Sequence, residues 1–87
     1  MTGGSESETL DVKGLLCPLP VIRTQDLVKG LPPGTLLSVL ATDPGVLEDL
    51  PAWCRVHGHE LLEASRVPPP EGSLAGPEFR IRLRVRG

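Results

Sequence analysis

Residues 9–31, TLDVKGLLCPLPVIRTQDLVKGL, decide the fold because the spacing of their apolar residues changes partway along the stretch. Leu10 and Val12 alternate with charged residues, which is typical of a strand with one wet face. Beyond Gly14 the apolar side chains recur at helical intervals: Val21, Ile22, Leu27, Val28 and Leu31. The stretch therefore predicts a short strand, a break and an amphipathic helix, with Cys17 at the start of the helix.

The rest of the chain continues the alternation of strands and helices. The predicted elements are, in order, Thr9–Lys13 (strand), Pro18–Leu31 (helix), Thr35–Thr42 (strand), Val46–Gly58 (helix), His59–Val67 (strand) and Glu78–Arg86 (strand). Pro51 either kinks the second helix or belongs to the first turn of a shorter helix that starts near Asp49. Residues 68–77, PPPEGSLAGP, form a loop without regular structure.

The order βαβαββ predicts an α/β fold. Two helices can cover only one face of four strands, so we expect a two-layer α/β sandwich with a four-stranded mixed sheet and both helices on one face. Residues 1–8, MTGGSESE, predict a disordered N-terminal tail. Residues 9–87 are then a single small domain.

Composition excludes several classes of protein. Trp53 and Phe79 are the only aromatic residues, which argues against nucleic-acid binding by base stacking. The net charge is −2, so no direct binding to nucleic acid is expected. The N-terminus does not resemble a signal peptide, and no apolar run approaches the ~20 residues of a membrane span. We therefore expect a cytoplasmic monomer that does not bind membranes.

Cys17 is the candidate functional residue. It falls where the first strand has ended and the first helix begins, and Pro18 and Pro20 are both tolerated in a first helical turn. The helix dipole and unpaired backbone N–H groups at such a position favour a thiolate. The sequence therefore predicts a lowered pKa for Cys17 and a role as a nucleophile.

The cysteines and histidines match no dithiol or metal motif. Pro20 stands where the second cysteine of a Cys-x-x-Cys motif would be, which argues against thioredoxin-like chemistry and suits a carrier with one thiol. The spacings of two cysteines and two histidines fit no zinc pattern. No metal and no cofactor are expected.

A set of motifs in chain order resembles the TusA/SirA family of small sulfur-carrier proteins. The matching residues are Leu10-Asp11, Gly14-Leu15-x-Cys17-Pro18-x-Pro20-Val21, Gly34, Asp43-Pro44, Asp49-x-Pro51-x-Trp53-Cys54 and Gly58-His59-Glu60-Leu61. The resemblance runs from about residue 9 to residue 85, with the motifs in the right order and spacing.

The resemblance implies that Cys17 carries sulfur as a persulfide. Family members receive sulfur from cysteine desulfurases or rhodanese-like proteins and deliver it to acceptor proteins in tRNA thiolation, molybdenum-cofactor synthesis or sulfur oxidation. Gly14, Pro18, Pro20 and Asp43 would support the site. Whether such a protein counts as an enzyme stays open, because it would act as a sulfurtransferase through a persulfide intermediate. The 68–77 loop is longer than is usual in the family.

Two other functions remain open. The chain could be a regulatory or protein-interaction module in which Cys17 is incidental, or even buried as a small hydrophobe. It could also be a thiol redox or selenium-handling protein, which would require reversible chemistry between Cys17 and Cys54. The sequence does not identify the sulfur donor, the acceptor or the pathway.

The remaining residues of interest have structural and functional interpretations. Cys54 is expected to pack in the core, with a partner-thiol role as the alternative. His57 and His59 would cap the second helix or supply a proton near the thiolate. Asp43 would cap the second helix or shape the site. The alternating arginines Arg80–Arg86 would form a solvated face balanced by acidic neighbours, or dock an acidic partner protein or tRNA held by a downstream enzyme.

Overall fold

The computed structural model describes residues 7–74 and 76–86 of the chain. The elements are β1 (Ser7–Asp11), α1 (Leu19–Val28), β2 (Leu36–Ala41), α2 (Val46–His57), β3 (Glu60–Val67) and β4 (Glu78–Arg84). The predicted order βαβαββ is confirmed. Ser7 and Glu8, which the sequence predicts to lie in the tail, belong to β1. Their pairing with β2 uses backbone hydrogen bonds, which the polarity of their side chains does not predict. Residues 1–6 of that tail lie outside the described residues.

The four strands form one mixed sheet in the order β1-β2-β4-β3. β1 pairs with β2 in parallel, whereas β4 is antiparallel to both β2 and β3. The predicted two-layer α/β fold with a mixed sheet is therefore confirmed. Because β1 and β2 are parallel neighbours, their carboxyl ends lie at the same edge of the sheet, and both strand-to-helix connections begin there.

The core lies between the helices and one face of the sheet. Alternate residues of β2 and β4 are buried, while their neighbours in sequence, including the arginines of β4, are more exposed. The buried apolar residues are Val12, Leu37, Val39, Ala41, Val46, Leu50, Trp53, Cys54, Phe79, Ile81, Leu83 and Val85. The strict alternation in β4 is the period-2 pattern that predicted a strand with one buried face.

α2 is one helix that contains Pro51. The shorter helix starting near Asp49 is wrong, because α2 already begins at Val46. Its first-turn N–H groups bond to the preceding loop: Val46 to the Asp43 carbonyl at 3.2 Å, and Leu47 to the Pro44 carbonyl at 3.1 Å. The helix ends at Gly58, whose φ of +78° is a left-handed conformation that favours glycine.

Candidate functional site

A tight turn after β1 carries the chain toward Cys17. Gly14 has a φ of +87°, which glycine adopts without the steric cost that other residues incur. Its N–H donates to the Thr42 hydroxyl oxygen at 2.9 Å, which ties the turn to the residue after β2. The Leu15 N–H donates to the Val12 carbonyl at 3.2 Å. The turn at Gly14 thus holds the Cys17 segment against the carboxyl end of β2.

Two prolines flank the start of α1 in different environments. Pro18, joined to Cys17 by a cis peptide bond, is the exposed N-cap residue. Pro20 lies in the first turn and is buried. The Pro20 carbonyl accepts a hydrogen bond from the buried Thr24 hydroxyl at 2.8 Å. Pro20 therefore anchors the start of α1 in the core, and Cys17 precedes that anchor on the surface.

Asp43 links the Cys17 segment to the loop before α2. One carboxylate oxygen accepts the Cys17 backbone N–H at 2.7 Å, and the other accepts the Gly45 N–H at 3.0 Å. These two backbone donors hold the pKa of Asp43 below its ordinary value, the Gly45 bond being the larger cause. Asp43 does not cap α2 directly, since the N-cap is Gly45 and no side chain bonds to the first turn. It shapes the surroundings of Cys17 instead.

The Cys17 thiol is exposed and donates a hydrogen bond to the Asp49 carboxylate of α2. This bond raises the pKa of Cys17, and the negative charges of Asp49 and Asp43 act in the same direction. The predicted lowering of the pKa is therefore wrong. The N–H groups expected to stabilise a thiolate have other partners, because Cys17 donates to Asp43 and Leu19 donates to the Leu16 carbonyl.

Asp49 is the residue of this site that the sequence interpretation missed, because the sequence placed it only in a motif of the second helix and gave it no role at Cys17. The order of the strands could have revealed it. If β1 and β2 are parallel neighbours, the loops after them share one edge of the sheet, and the first turn of α2 must lie near Cys17. Thirty-two residues separate Cys17 from Asp49, so spacing along the chain gives no hint of the contact.

Cys54 is a core residue. Its side chain is 1% exposed among the apolar residues under α2, and burial raises its pKa to about 11. Both cysteines are free thiols. The expectation that Cys54 packs in the core is confirmed, and a buried thiol with this pKa is a poor nucleophile.

His57 and His59 pack around Trp53 at the far end of α2. The rings of Trp53 and His59 are stacked at 4.9 Å, and the His59 Nδ1 accepts the Arg86 backbone N–H at 3.0 Å. Burial lowers the pKa of His59 below its ordinary value. His57 follows Asp49 by eight positions, or about 12 Å along a helix. The histidines therefore serve the structure here rather than the thiol.

The three arginines of β4, and Arg86 just after the strand, pair with two glutamates of β3. The contacts are Arg80 to Glu63 at 3.2 Å, Arg82 to Glu63 at 3.6 Å, Arg84 to Glu60 at 3.0 Å and Arg86 to Glu60 at 3.2 Å. The interpretation of these arginines as a solvated face balanced by acidic neighbours accounts for all four.

Exposed apolar side chains flank Cys17. Leu16 is 71% exposed, and Leu19 and Ile22, one turn apart on α1, are 43% and 47% exposed. We call Leu16, Leu19 and Ile22 the α1 patch.

No group of three or more potential metal ligands comes together in residues 7–74 and 76–86. None of the helices in that part of the chain is long and apolar enough to cross a membrane.

Comparison with known proteins gives a consistent result. A family model described as "Sulfurtransferase TusA" matches residues 8–84. A Neisseria meningitidis protein named "Putative sulfur carrier protein NMA0882" is 52% identical over 59 residues, which cover 68% of this chain and 80% of the relative. The Pseudomonas aeruginosa "Sulfur carrier protein TusA" is 50% identical over 54 residues, 62% of this chain and 68% of the relative.

Proposed function

The chain belongs to the TusA family of sulfurtransferases, and from that membership we propose that it accepts sulfane sulfur as a persulfide on Cys17 and relays it to an acceptor protein. The observation that carries the proposal is the placement of Cys17. Its thiol is exposed and its backbone N–H is held by a hydrogen bond to Asp43, whereas the other cysteine is buried. A carrier needs this arrangement, because two different proteins must reach the same sulfur atom.

The transfer is a thiol–persulfide exchange. The Cys17 sulfur attacks the terminal sulfur of a donor persulfide, a new S–S bond forms at Cys17, and the S–S bond of the donor breaks. The donor sulfur leaves with the electron pair of that bond and takes up the proton that Cys17 loses. Handing the sulfur to an acceptor thiol repeats these steps with Cys17 as the leaving group. No oxidant or reductant is consumed.

The buried position of Cys54 favours a carrier over a dithiol redox protein. A neighbouring thiol that could reach the persulfide would attack it and release the sulfur as sulfide. Cys54 is 1% exposed, and Pro20 occupies the place of a nearby second cysteine. A sulfur on Cys17 can therefore persist until an acceptor protein arrives.

The partners are a sulfur donor and a sulfur acceptor. The donor we propose is a cysteine desulfurase or a rhodanese-like protein, and the acceptor belongs to tRNA thiolation, molybdenum-cofactor synthesis or sulfur oxidation. The α1 patch offers these proteins apolar contact area beside the reacting sulfur. The compartment we propose is the cytoplasm, where Cys17 would stay reduced.

Mass spectrometry of the loaded protein tests the proposal. The wild type, Cys17→Ser and Cys54→Ser would each be incubated with a cysteine desulfurase and cysteine. We expect a mass gain of one sulfur atom in the wild type and in Cys54→Ser, and none in Cys17→Ser. An added sulfur on Cys17→Ser, or none on the folded wild type, would rule out the proposal. Partner binding that survives in Cys17→Ser, with no sulfur on the wild type, would favour an interaction module.

A further inference from the structure

Two carboxylates hydrogen-bond to Cys17, one at its thiol and one at its backbone N–H. Asp49 accepts the thiol proton in a hydrogen bond, and Asp43 accepts the backbone N–H of the same cysteine. Among the described residues, the ion pairs of the protein involve neither Asp43 nor Asp49. The negative charges of both acids raise the pKa of the Cys17 thiol, the hydrogen bond to Asp49 being the largest cause.

Loading Cys17 with sulfur removes the hydrogen-bond donor of Asp49 and places a negative charge near its carboxylate. The Cys17 Sγ exchanges its hydrogen for a second sulfur, so the atom that donated to Asp49 can donate no longer. A persulfide is also a stronger acid than the thiol from which it forms, and its terminal sulfur is mostly anionic at neutral pH. That anion would stand next to the two carboxylates, and like charges at this range repel each other. The empty carrier is thus the form that Asp49 stabilises.

We propose that Asp49 lowers the equilibrium constant for loading Cys17 with sulfur, because its carboxylate binds the thiol and repels the persulfide. This role rests on the proposed function and adds a thermodynamic direction to it. Asp49 contacts the reacting sulfur and biases the exchange toward the free thiol, so that a loaded carrier gives up its sulfur readily to an acceptor.

The exchange equilibrium with a small persulfide measures this bias without the influence of protein docking. Glutathione persulfide and Cys17 thiol would be equilibrated with glutathione and Cys17 persulfide, and the loaded fraction read by mass spectrometry at fixed ratios of the two glutathione species. Asp49→Asn keeps a hydrogen-bond acceptor for the thiol, removes the charge and adds an N–H that can donate to the terminal sulfur. We expect the equilibrium constant for loading to rise about fivefold, the upper range for an exposed charge pair.

Two further variants separate this effect from general changes. Glu48→Gln removes one negative charge from the neighbouring exposed position of α2, where no hydrogen bond reaches Cys17, and should leave the constant within about twofold of wild type. Asp49→Glu keeps the negative charge, and its equilibrium constant should lie closer to that of the wild type than to that of Asp49→Asn. Circular dichroism confirms that each variant is folded.

The outcomes distinguish the two proposals. A wild type that loads on Cys17 while Asp49→Asn keeps the same constant, or while Glu48→Gln rises as much, overturns the role of Asp49 and leaves the carrier function standing. A folded wild type that takes no sulfur from glutathione persulfide or from a desulfurase overturns both.

Discussion

At the scale of the residue, the electrostatics of Cys17 depend on which charges are closest. A helix N-terminus offers roughly half a positive charge, and that effect fades within the first turn. Here α1 begins at Leu19, two residues beyond the thiol. Asp49 contacts the sulfur directly, and Asp43 adds a second full negative charge. The carboxylates therefore prevail over the dipole, and the free carrier holds Cys17 as a thiol.

The pH dependence of alkylation tests this description. Because a carboxylate that accepts the thiol proton raises the pKa of Cys17, Asp49→Asn should lower that pKa. The rate of reaction with iodoacetamide follows the thiolate fraction, so the midpoint of the rate–pH curve should move to lower pH. Only one thiol should react in the folded protein, since Cys54 is buried.

Glu48→Gln is the matched control for this shift. It removes the same charge from α2 without breaking a bond to the sulfur, and its midpoint should stay close to that of the wild type. If Asp49→Asn and the wild type share one midpoint, the carboxylate does not control the ionisation of Cys17.

At the scale of the element, α1 divides its sequence between the core and the surface around the sulfur. Pro20 and Thr24 are buried, whereas Leu19 and Ile22 on the other side of the helix are exposed. Exposed apolar side chains cost little when they stand singly, but a cluster beside a reactive atom is typical of a contact surface. The start of α1 therefore positions Cys17 and also places exposed apolar side chains next to it.

Substitution in the α1 patch should affect transfer between proteins and spare the chemistry of the sulfur. Ile22→Glu places a charge where a partner protein would cover an apolar side chain, and loading from a persulfidated cysteine desulfurase should slow by about fivefold or more. Loading from glutathione persulfide should be unchanged, because a small molecule needs no docking surface. Rates from both donors would be compared by mass spectrometry.

Leu62→Glu provides the control at similar exposure. Leu62 is 43% exposed near the start of β3, at the end of the sheet opposite to the loops that hold Cys17. Equal slowing by Ile22→Glu and Leu62→Glu, or slowing with both donors, would argue against docking on the α1 patch.

At the scale of the whole molecule, the face of the sheet away from the helices carries paired charges. The arginines of β4 and Arg86 pair with Glu60 and Glu63 of β3, so each glutamate is shared by two arginines and the pairs balance half of the positive charge. A hydrogen bond from Arg86 is the main cause that holds the pKa of Glu60 below its ordinary value, and a hydrogen bond from Ser65 does the same for Glu63. Exposed pairs of this kind contribute little each, and salt screens them.

The stability of the protein should consequently fall as acid protonates these glutamates. A carboxyl group whose pKa is lowered in the folded state contributes stability that is present above its unfolded pKa and is lost as the pH falls through its folded pKa. The double variant E60Q/E63Q should be less stable than wild type near neutral pH, and the difference should shrink as the pH falls below about 4.3, the ordinary pKa of a glutamate. Thermal unfolding at low salt, followed by circular dichroism, measures both.

E48Q/E71Q removes the same charge from two acids that form no ion pair among the described residues. Its difference in melting temperature from wild type should vary less with pH over this range. A difference that stays constant with pH for E60Q/E63Q would contradict the contribution of the arginine pairs.

The sequence by itself determined the elements, their order and the candidate functional residue, Cys17. Alternation in 78–86, helical spacing after Pro18, and a cysteine placed between strand and helix are local patterns, because each depends on the backbone period of a single segment. The same local reasoning placed Cys54 in the core, as α2 buries one of its faces.

Only the tertiary structure decided the chemical state of Cys17. Parallel pairing of β1 with β2 brings two loops to one edge of the sheet, so that Asp43 reaches the backbone N–H of Cys17 and Asp49 reaches its sulfur, 26 and 32 positions away in the chain. The pKa of the thiol follows from charges that are close in space. The period of a strand or helix carries no information on such distances, which is why the sequence could single out Cys17 as the candidate residue but gave the wrong direction for its pKa.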